Sequence, residues 1–151
     1  RLGAVHSPVN GRHPDIYLGL KTFPMYFGGK NAIKASQIFK PLVKSVVWYK
    51  RSEITEAMKL WSTTQYGLHI MIQKEIYDWC QKNNLPFDEV YTRSNIDYNS
   101  GYMDLGEQQF MRPYLDNVPG EIGGHCVIPN LDFLEDSKLA VYLKKMNKNF
   151  N

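Results

Sequence analysis

Between Glu53 and Asn83 the apolar residues Ile54, Met58, Trp61, Leu68, Ile72, Ile76 and Trp79 recur by threes, fours and a seven. That is the period of one face of an α-helix, held long enough to predict a single helix of about 45 Å at 1.5 Å per residue. Ser52 is placed to cap its start, and Asn83-Asn84 ahead of Leu85-Pro86 supplies the stop. Gly67, inside this run, costs about 1 kcal/mol against alanine, which predicts close packing by a neighbour or a local bend. The chain has 151 residues, and an apolar stripe of this length exceeds what the remainder can cover. A homodimer through residues 53–83 is the expected solution.

Ahead of the helix, short apolar runs alternate with amphipathic ones. Leu2 to Val9 predicts a short strand running into a turn-rich Ser-Pro-Val-Asn-Gly-Arg-His-Pro loop. Asp15 to Phe23 predicts one or two helical turns capped by Asp15, with Ile16, Leu18 and Leu20 partly buried. Pro24 to Gly29 reads as a strand closed by two glycines. Ala32 to Leu42 reads as a helix capped by Asn31, with Ile33, Ile38 and Phe39 near one face and Pro41 near its end, and Ser45 to Tyr49 as another strand. Behind the long helix, Phe87 to Ser94 predicts a short helix starting at Pro86, and Ile96 to Asn117 mostly loop with short helix. Pro119 to Asn130 is a glycine-rich loop, and Asp132 to Lys145 a closing helix with Leu134, Leu139, Tyr142 and Leu143 inward. The fold class is α+β, mostly helical: a partial Rossmann-like β/α layer over residues 1–51, then a helical domain over 52–151 built on the long helix.

Composition narrows the function classes. Hydrophobic residues at 43% and charged residues at 22% place the chain among globular proteins and outside disordered ones. The net charge of +3 comes from 18 basic and 15 acidic side chains scattered along the chain, which argues against a nucleic-acid surface. No run approaches the ~20 apolar residues of a membrane span. Cys80 and Cys126 are too few for a disulfide framework and read as reduced thiols in a cytoplasmic protein. His6, His13, His69 and His125 match no zinc spacing, so no metal site is expected. Lys138, Lys144, Lys145 and Lys148 read as a solvated helix face. Arg1 is no start methionine and no apolar signal region follows it, so the chain is expected to be a piece of a longer one.

Gly123-Gly124-His125-Cys126 is the sharpest chemical feature. Adjacent glycines allow positive φ and close approach of backbone to a ligand, and their N–H groups can form an anion-binding concavity. A cysteine after such a turn lies where peptide dipoles favour thiolate, the form that attacks a carbonyl carbon. The competing reading is a small buried apolar cysteine in a tight turn.

With this loop, the long helix and Ser7-Pro8, the sequence resembles the UDP-glucose/GDP-mannose dehydrogenase family, whose signature loop is Gly-Gly-(Ser/His)-Cys. The resemblance runs from about Val5 to Leu143. It implies that residues 1–51 are the C-terminal part of a nucleotide-binding domain and 52–151 a central dimerisation domain. It also implies a nucleotide-sugar substrate, oxidised from alcohol to acid with NAD through a thiohemiacetal and a thioester on Cys126. The family helix carries Glu-x-x-Lys-x-x-x-Asn, matched by Glu56-Ala-Met-Lys59 with Thr63 in place of asparagine, and Lys74-Glu75 stands for Asn-Glu. Lys59 would thus stabilise negative charge on oxygen, while Gly123, Gly124, His125, Thr63 and Asn130 would face substrate.

The chain departs from the family at several of these positions. Ser7-Pro8-Val9 lacks the usual glutamate, Asn130 replaces an aspartate and Glu121 a glycine. No Gly-x-Gly-x-x-Gly occurs, so NAD, the cofactor of the full-length family, is not expected to be bound by this chain alone. The alternative is a catalytically silent dimerisation and sugar-nucleotide-binding module, and the Tyr98–Tyr102 segment is either a substrate-facing loop or an aromatic turn on the core.

Overall fold

The computed structural model describes residues 3–11 and 14–150, so His13 and the start of the first predicted strand lie outside the described residues. The fold is α+β and mostly helical. In chain order it comprises α1 (Ile16–Thr22), β1 (Met25–Gly28), α2 (Ala32–Phe39), β2 (Val46–Tyr49), α3 (Ser52–Lys82), a π-helical turn (Asp88–Arg93), α4 (Ser94–Asp104) and α5 (Lys138–Asn147). It divides into two compact units, Arg1–Ser62 and Thr63–Asn151, with α3 running through the division.

In the first unit β1 and β2 pair in parallel, Met25 opposite Val46 and Gly28 opposite Tyr49, joined by α2. Parallel strands require such a crossover. Phe27 and Ala32 are fully buried with Met25 beside them, and Val5, Leu20, Ala35, Val43 and Val46 pack around this core. The predicted first strand is reduced to one bridge: His6 and Gly28 exchange both backbone hydrogen bonds, at 2.9 and 2.8 Å. Pro8, without an N–H, cannot prolong that pairing. Neither expected cap forms through its side chain; the Asn31 Nδ2 instead donates to the Gly3 carbonyl at 2.9 Å. Leu18 is exposed, and α2 stops at Phe39 rather than at Leu42, with Lys40 still in helical torsions and its N–H bonded to the Ser36 carbonyl. The buried side of α2 is Ala32 and Ser36, which leaves Ile33 and Ile38 outside.

The second unit is assembled on the small and polar side of α3. Thr63, Thr64, Gly67, Met71 and Lys74 are buried, whereas Ile72 and Trp79, on the apolar stripe, are 50% and 55% exposed. Helix α3 starts at Ser52 itself, and the chain leaves it through Asn84 at φ +53°, the left-handed stop that asparagine tolerates. A Cβ on Gly67 would lie 2.6 Å from Val127 Cγ1 and 2.8 Å from Leu143 Cδ2, so glycine there is required by close approach. Of the segment expected to be mostly loop with short helix, residues 111–117 have no regular structure and Ser94–Asp104 is helical. Pairs one turn apart hold it despite Gly101: Arg93 with Asp97 at 3.0 Å, Asn95 Nδ2 donating to the Tyr91 carbonyl at 2.7 Å, and Tyr98 with Tyr102 at 4.8 Å between ring centroids.

The closing helix also differs from expectation. It starts at Lys138, where the Ser137 hydroxyl accepts from the Ala140 N–H at 3.3 Å, while Asp132 falls in a 3₁₀ turn over Pro129–Phe133. Ala140, Leu143 and Asn147 face inward, with Leu134 buried ahead of them, and Leu139 and Tyr142 are exposed. Among the described residues no helix is long and apolar enough to cross a membrane.

Gly67→Val forces a branched side chain against Val127 and Leu143, and stability should fall by about 2–3 kcal/mol, the ordinary cost of overpacking. Urea unfolding at neutral pH, with an unchanged m-value, is the check.

Candidate functional site

The cysteine loop belongs to a long segment without regular structure that is tied to the helices of the second unit by side chains. Two bonds of 2.8 Å join Asn99 to the backbone of Arg112. Gln73 Nε2 donates to Asn117 Oδ1 at 2.9 Å, and the Lys74 ammonium donates to the Val118 carbonyl. The Ile122 N–H donates to Asn147 Oδ1 at 2.6 Å. Between the buried Ile122 and Val127, residues Gly123, Gly124, His125 and Cys126 are all exposed. Gly124 has φ +87°, and no atom lies within 4 Å of where a Cβ on either glycine would stand. The loop is therefore anchored at both ends and open between them. Cys126 presents its thiol to solvent, whereas Cys80 is buried.

Thr63 and Asn130, both departures from the family pattern, meet each other: Asn130 Nδ2 donates to Thr63 Oγ1 at 3.1 Å. Such a neutral pair has no group that takes up a proton near neutral pH. In the first unit Lys59 Nζ donates to the Val9 carbonyl at 3.3 Å, in a small cavity of about 180 Å³ lined by Pro8, Asn10, Tyr26, Met58 and Ser62. His6 Nδ1 lies 2.8 Å from Thr55 Oγ1 and the Ser7 hydroxyl donates to the Tyr26 carbonyl at 2.7 Å, so the Ser-Pro-Val turn is fixed beside this cavity.

Tyr98 and Tyr102 lie on α4 in an aromatic row continued by Phe110, 5.3 Å from Tyr102, with the Arg112 guanidinium 3.5 Å from the Tyr98 ring centroid. A groove of about 740 Å³ runs along the second unit between Ile72, Ile76 and Trp79 of α3 and Val90, Tyr91 and Pro113. Among the described residues no group of three or more His, Cys, Asp or Glu side chains could hold a metal ion.

The described residues do not fit the pyrophosphate of NAD. The glycine-bearing turn that leads from a strand into a helix is Gly28-Gly29 between β1 and α2, and the chain itself fills it. A Cβ on Gly28 would run into Thr55 and Ser52, and one on Gly29 would lie 2.8 Å from the Ala4 carbonyl oxygen. These glycines serve packing rather than an approaching phosphate.

The burial of two polar residues, Lys74 and Asn147, escapes sequence reasoning. Asn147 continues the inward spacing of Ala140 and Leu143 on α5, and Lys74 continues that of Thr64, Gly67 and Met71 on α3. A polar residue in register with an apolar or small stripe is the signal that finds both. Lys74 lies 5.6 Å from the Phe150 ring centroid; burial pushes its ammonium below the usual lysine range, and Asp78 opposes that shift.

No protein-family model and no curated protein matches the chain. Among solved structures it is similar to a UDP-D-ManNAc dehydrogenase from Pyrococcus horikoshii, with a TM-score of 0.74 and 17% identity. The match covers 97% of this chain and 34% of that one, so the chain spans about a third of the length of its structural relative. At that identity the likeness establishes the fold: the chain folds as part of a nucleotide-sugar dehydrogenase does.

Lys74 generates a pH prediction. With its folded-state pKa below the unfolded value of about 10.4, the native protein releases this proton first as pH rises, so its contribution to stability grows as pH approaches that value. Lys74→Met should lack this rise. Urea midpoints of both proteins from neutral to alkaline pH compare the slopes.

Proposed function

We propose that this chain is the thiol-bearing and dimerising part of a nucleotide-sugar dehydrogenase, with Cys126 as the nucleophile that captures a sugar aldehyde. The observation that carries the reading is the anchored, open Gly123-Gly124-His125-Cys126 loop on a fold that matches a UDP-sugar dehydrogenase over nearly the whole chain. In the step assigned to it, the Cys126 sulfur bonds to the aldehyde carbon, the carbonyl π bond opens, and the thiol proton ends on the new hydroxyl. The product is a thiohemiacetal, and nothing is oxidised or reduced. The oxidation of alcohol to acid in the resembling family uses NAD, and no step through NAD is assigned to these residues. By the same resemblance Gly123, Gly124 and His125 shape the substrate loop, and Lys59 is the cation that stabilises negative charge on oxygen.

A UDP-sugar whose C6 carries an aldehyde should slow alkylation of Cys126 by iodoacetamide, and the corresponding C6 alcohol should not. Peptide mass spectrometry reads each cysteine separately. Equal alkylation rates with and without the aldehyde would falsify the nucleophile role.

The catalytically silent module is the second reading, favoured by the Thr63–Asn130 pair, which leaves an amide and a hydroxyl where the family has an amide and a carboxylate. Under that reading the nucleotide sugar binds, but its aldehyde does not protect Cys126.

Both readings include a homodimer through α3. Ile72 and Trp79 stay half exposed beside the 740 Å³ groove, an apolar face that a second copy of the same helix would cover. Light scattering at micromolar concentration should give twice the 17.5 kDa of one chain, and Trp79→Asp should give the single-chain mass. A wild-type monomer at that concentration rules the dimer out.

A further inference from the structure

We infer that Asn147 is the positioning residue of the cysteine loop, and that the reactivity of the Cys126 thiol depends on this one carboxamide of α5. The inference rests on the proposed role of Cys126 only for its functional meaning; the clamp itself stands on geometry. Asn147 is 3% exposed, on the inward face of α5 with Ala140 and Leu143. Its Oδ1 accepts the Ile122 N–H at 2.6 Å, and its Nδ2 lies 3.4 Å from the Ile122 carbonyl and 3.3 Å from Glu121 Oε2. One side chain thus satisfies both backbone groups of a single buried residue 25 positions away, the two-point pairing that a neighbouring strand would otherwise provide.

Position makes this clamp matter. Ile122 is the last buried residue before the exposed Gly123-Gly124-His125-Cys126, and Val127, packed at Gly67, is the first buried one after it. The two glycines between have open space at their Cβ positions, and glycine is the residue whose own torsions are least restricted. The path of the loop is therefore set at its ends. The downstream end is held by the packing of Val127 at Gly67 and, beyond it, by the Asn130–Thr63 hydrogen bond, and the upstream end by the hydrogen bonds of the single Asn147 carboxamide. Buried backbone groups deprived of partners cost about 1–3 kcal/mol each, so losing the carboxamide would release Ile122 to seek water and carry the loop outward with it.

The test compares wild type with Asn147→Leu, which keeps approximate volume and removes both bonds, and Asn147→Gln, which keeps the carboxamide with its donor and its acceptor. Iodoacetamide alkylation is followed at each cysteine, with buried Cys80 as the internal report on folding. The expected result is a change of about tenfold in the Cys126 rate for Asn147→Leu, equivalent to ~1.4 kcal/mol, with Cys80 protected and Asn147→Gln closer to wild type. An Asn147→Leu protein with Cys80 protected and a Cys126 rate within about twofold of wild type overturns the inference.

Should Asn147→Leu label at Cys80 and so prove unfolded, hydrogen exchange on the wild-type chain decides. The Ile122 amide should exchange far more slowly than those of Gly123 and Gly124, and equal rates at all three would overturn the clamp. Neither readout uses the sugar aldehyde, so a failure of the nucleophile role and a failure of the clamp are separately visible.

Discussion

The second unit depends on one absent side chain. At Gly67 the backbone of α3 comes close enough to Val127 and Leu143 that a methyl group would overlap both. Leu143 is fully buried there, and Val127 ends the exposed cysteine loop. A single position on the long helix therefore seats both the closing helix and the chemical loop. The helix gives up about 1 kcal/mol of intrinsic propensity at a glycine, and burial of a leucine and a valine, about 1.5–3 kcal/mol each, exceeds that loss. The resulting unit is small, and its loop is suspended between this apolar contact and the Asn147 hydrogen bonds.

The long helix turns out to use its two sides in an unexpected way. The side that meets the rest of its own unit carries Thr63, Thr64, Gly67, Gln73 and Lys74 besides Met71 and Cys80, while the stripe through Ile72 and Trp79 stays half exposed. Small and polar residues allow the irregular segment over residues 111–128 to lie close to the helix and to be hydrogen-bonded by it. Lys74 and Gln73 hold Val118 and Asn117 in this way. An apolar inner face would leave the backbone of that segment without partners, which buried peptide groups rarely tolerate. The apolar stripe is thereby available to something outside the chain.

Legibility in the sequence follows from this division. The existence and ends of α3 were readable because its apolar stripe keeps the helical period whichever way it faces. The direction it faces was not, since periodicity identifies a stripe and says nothing of its cover. The same limit explains α5, where Leu139 and Tyr142 point outward while Asn147 lies inside. The extent of helix α4 within its segment was less legible, because Gly101 lowers local propensity and the pairs that restore it, such as Tyr98 with Tyr102, are individually weak. The irregular, open course of the cysteine loop was legible because adjacent glycines carry their own geometry. Its anchor was not, because Asn147 lies far along the chain.

Thr63 and Asn130 bear on what chemistry such a loop supports. Read singly, each is a departure that removes something from the family pattern. Read together, they form a hydrogen bond between α3 and the 3₁₀ turn that follows the cysteine. An aspartate at position 130 would accept rather than donate, and Thr63 could meet it by donating its hydroxyl proton. Asparagine uses its amide N–H on the Thr63 oxygen instead, and the pair stays neutral at every pH in the ordinary range. Formation of a thiohemiacetal needs only a proton moved from sulfur to oxygen, so a neutral pair leaves that step possible. Hydrolysis of a thioester needs a base to activate water, and this pair offers none.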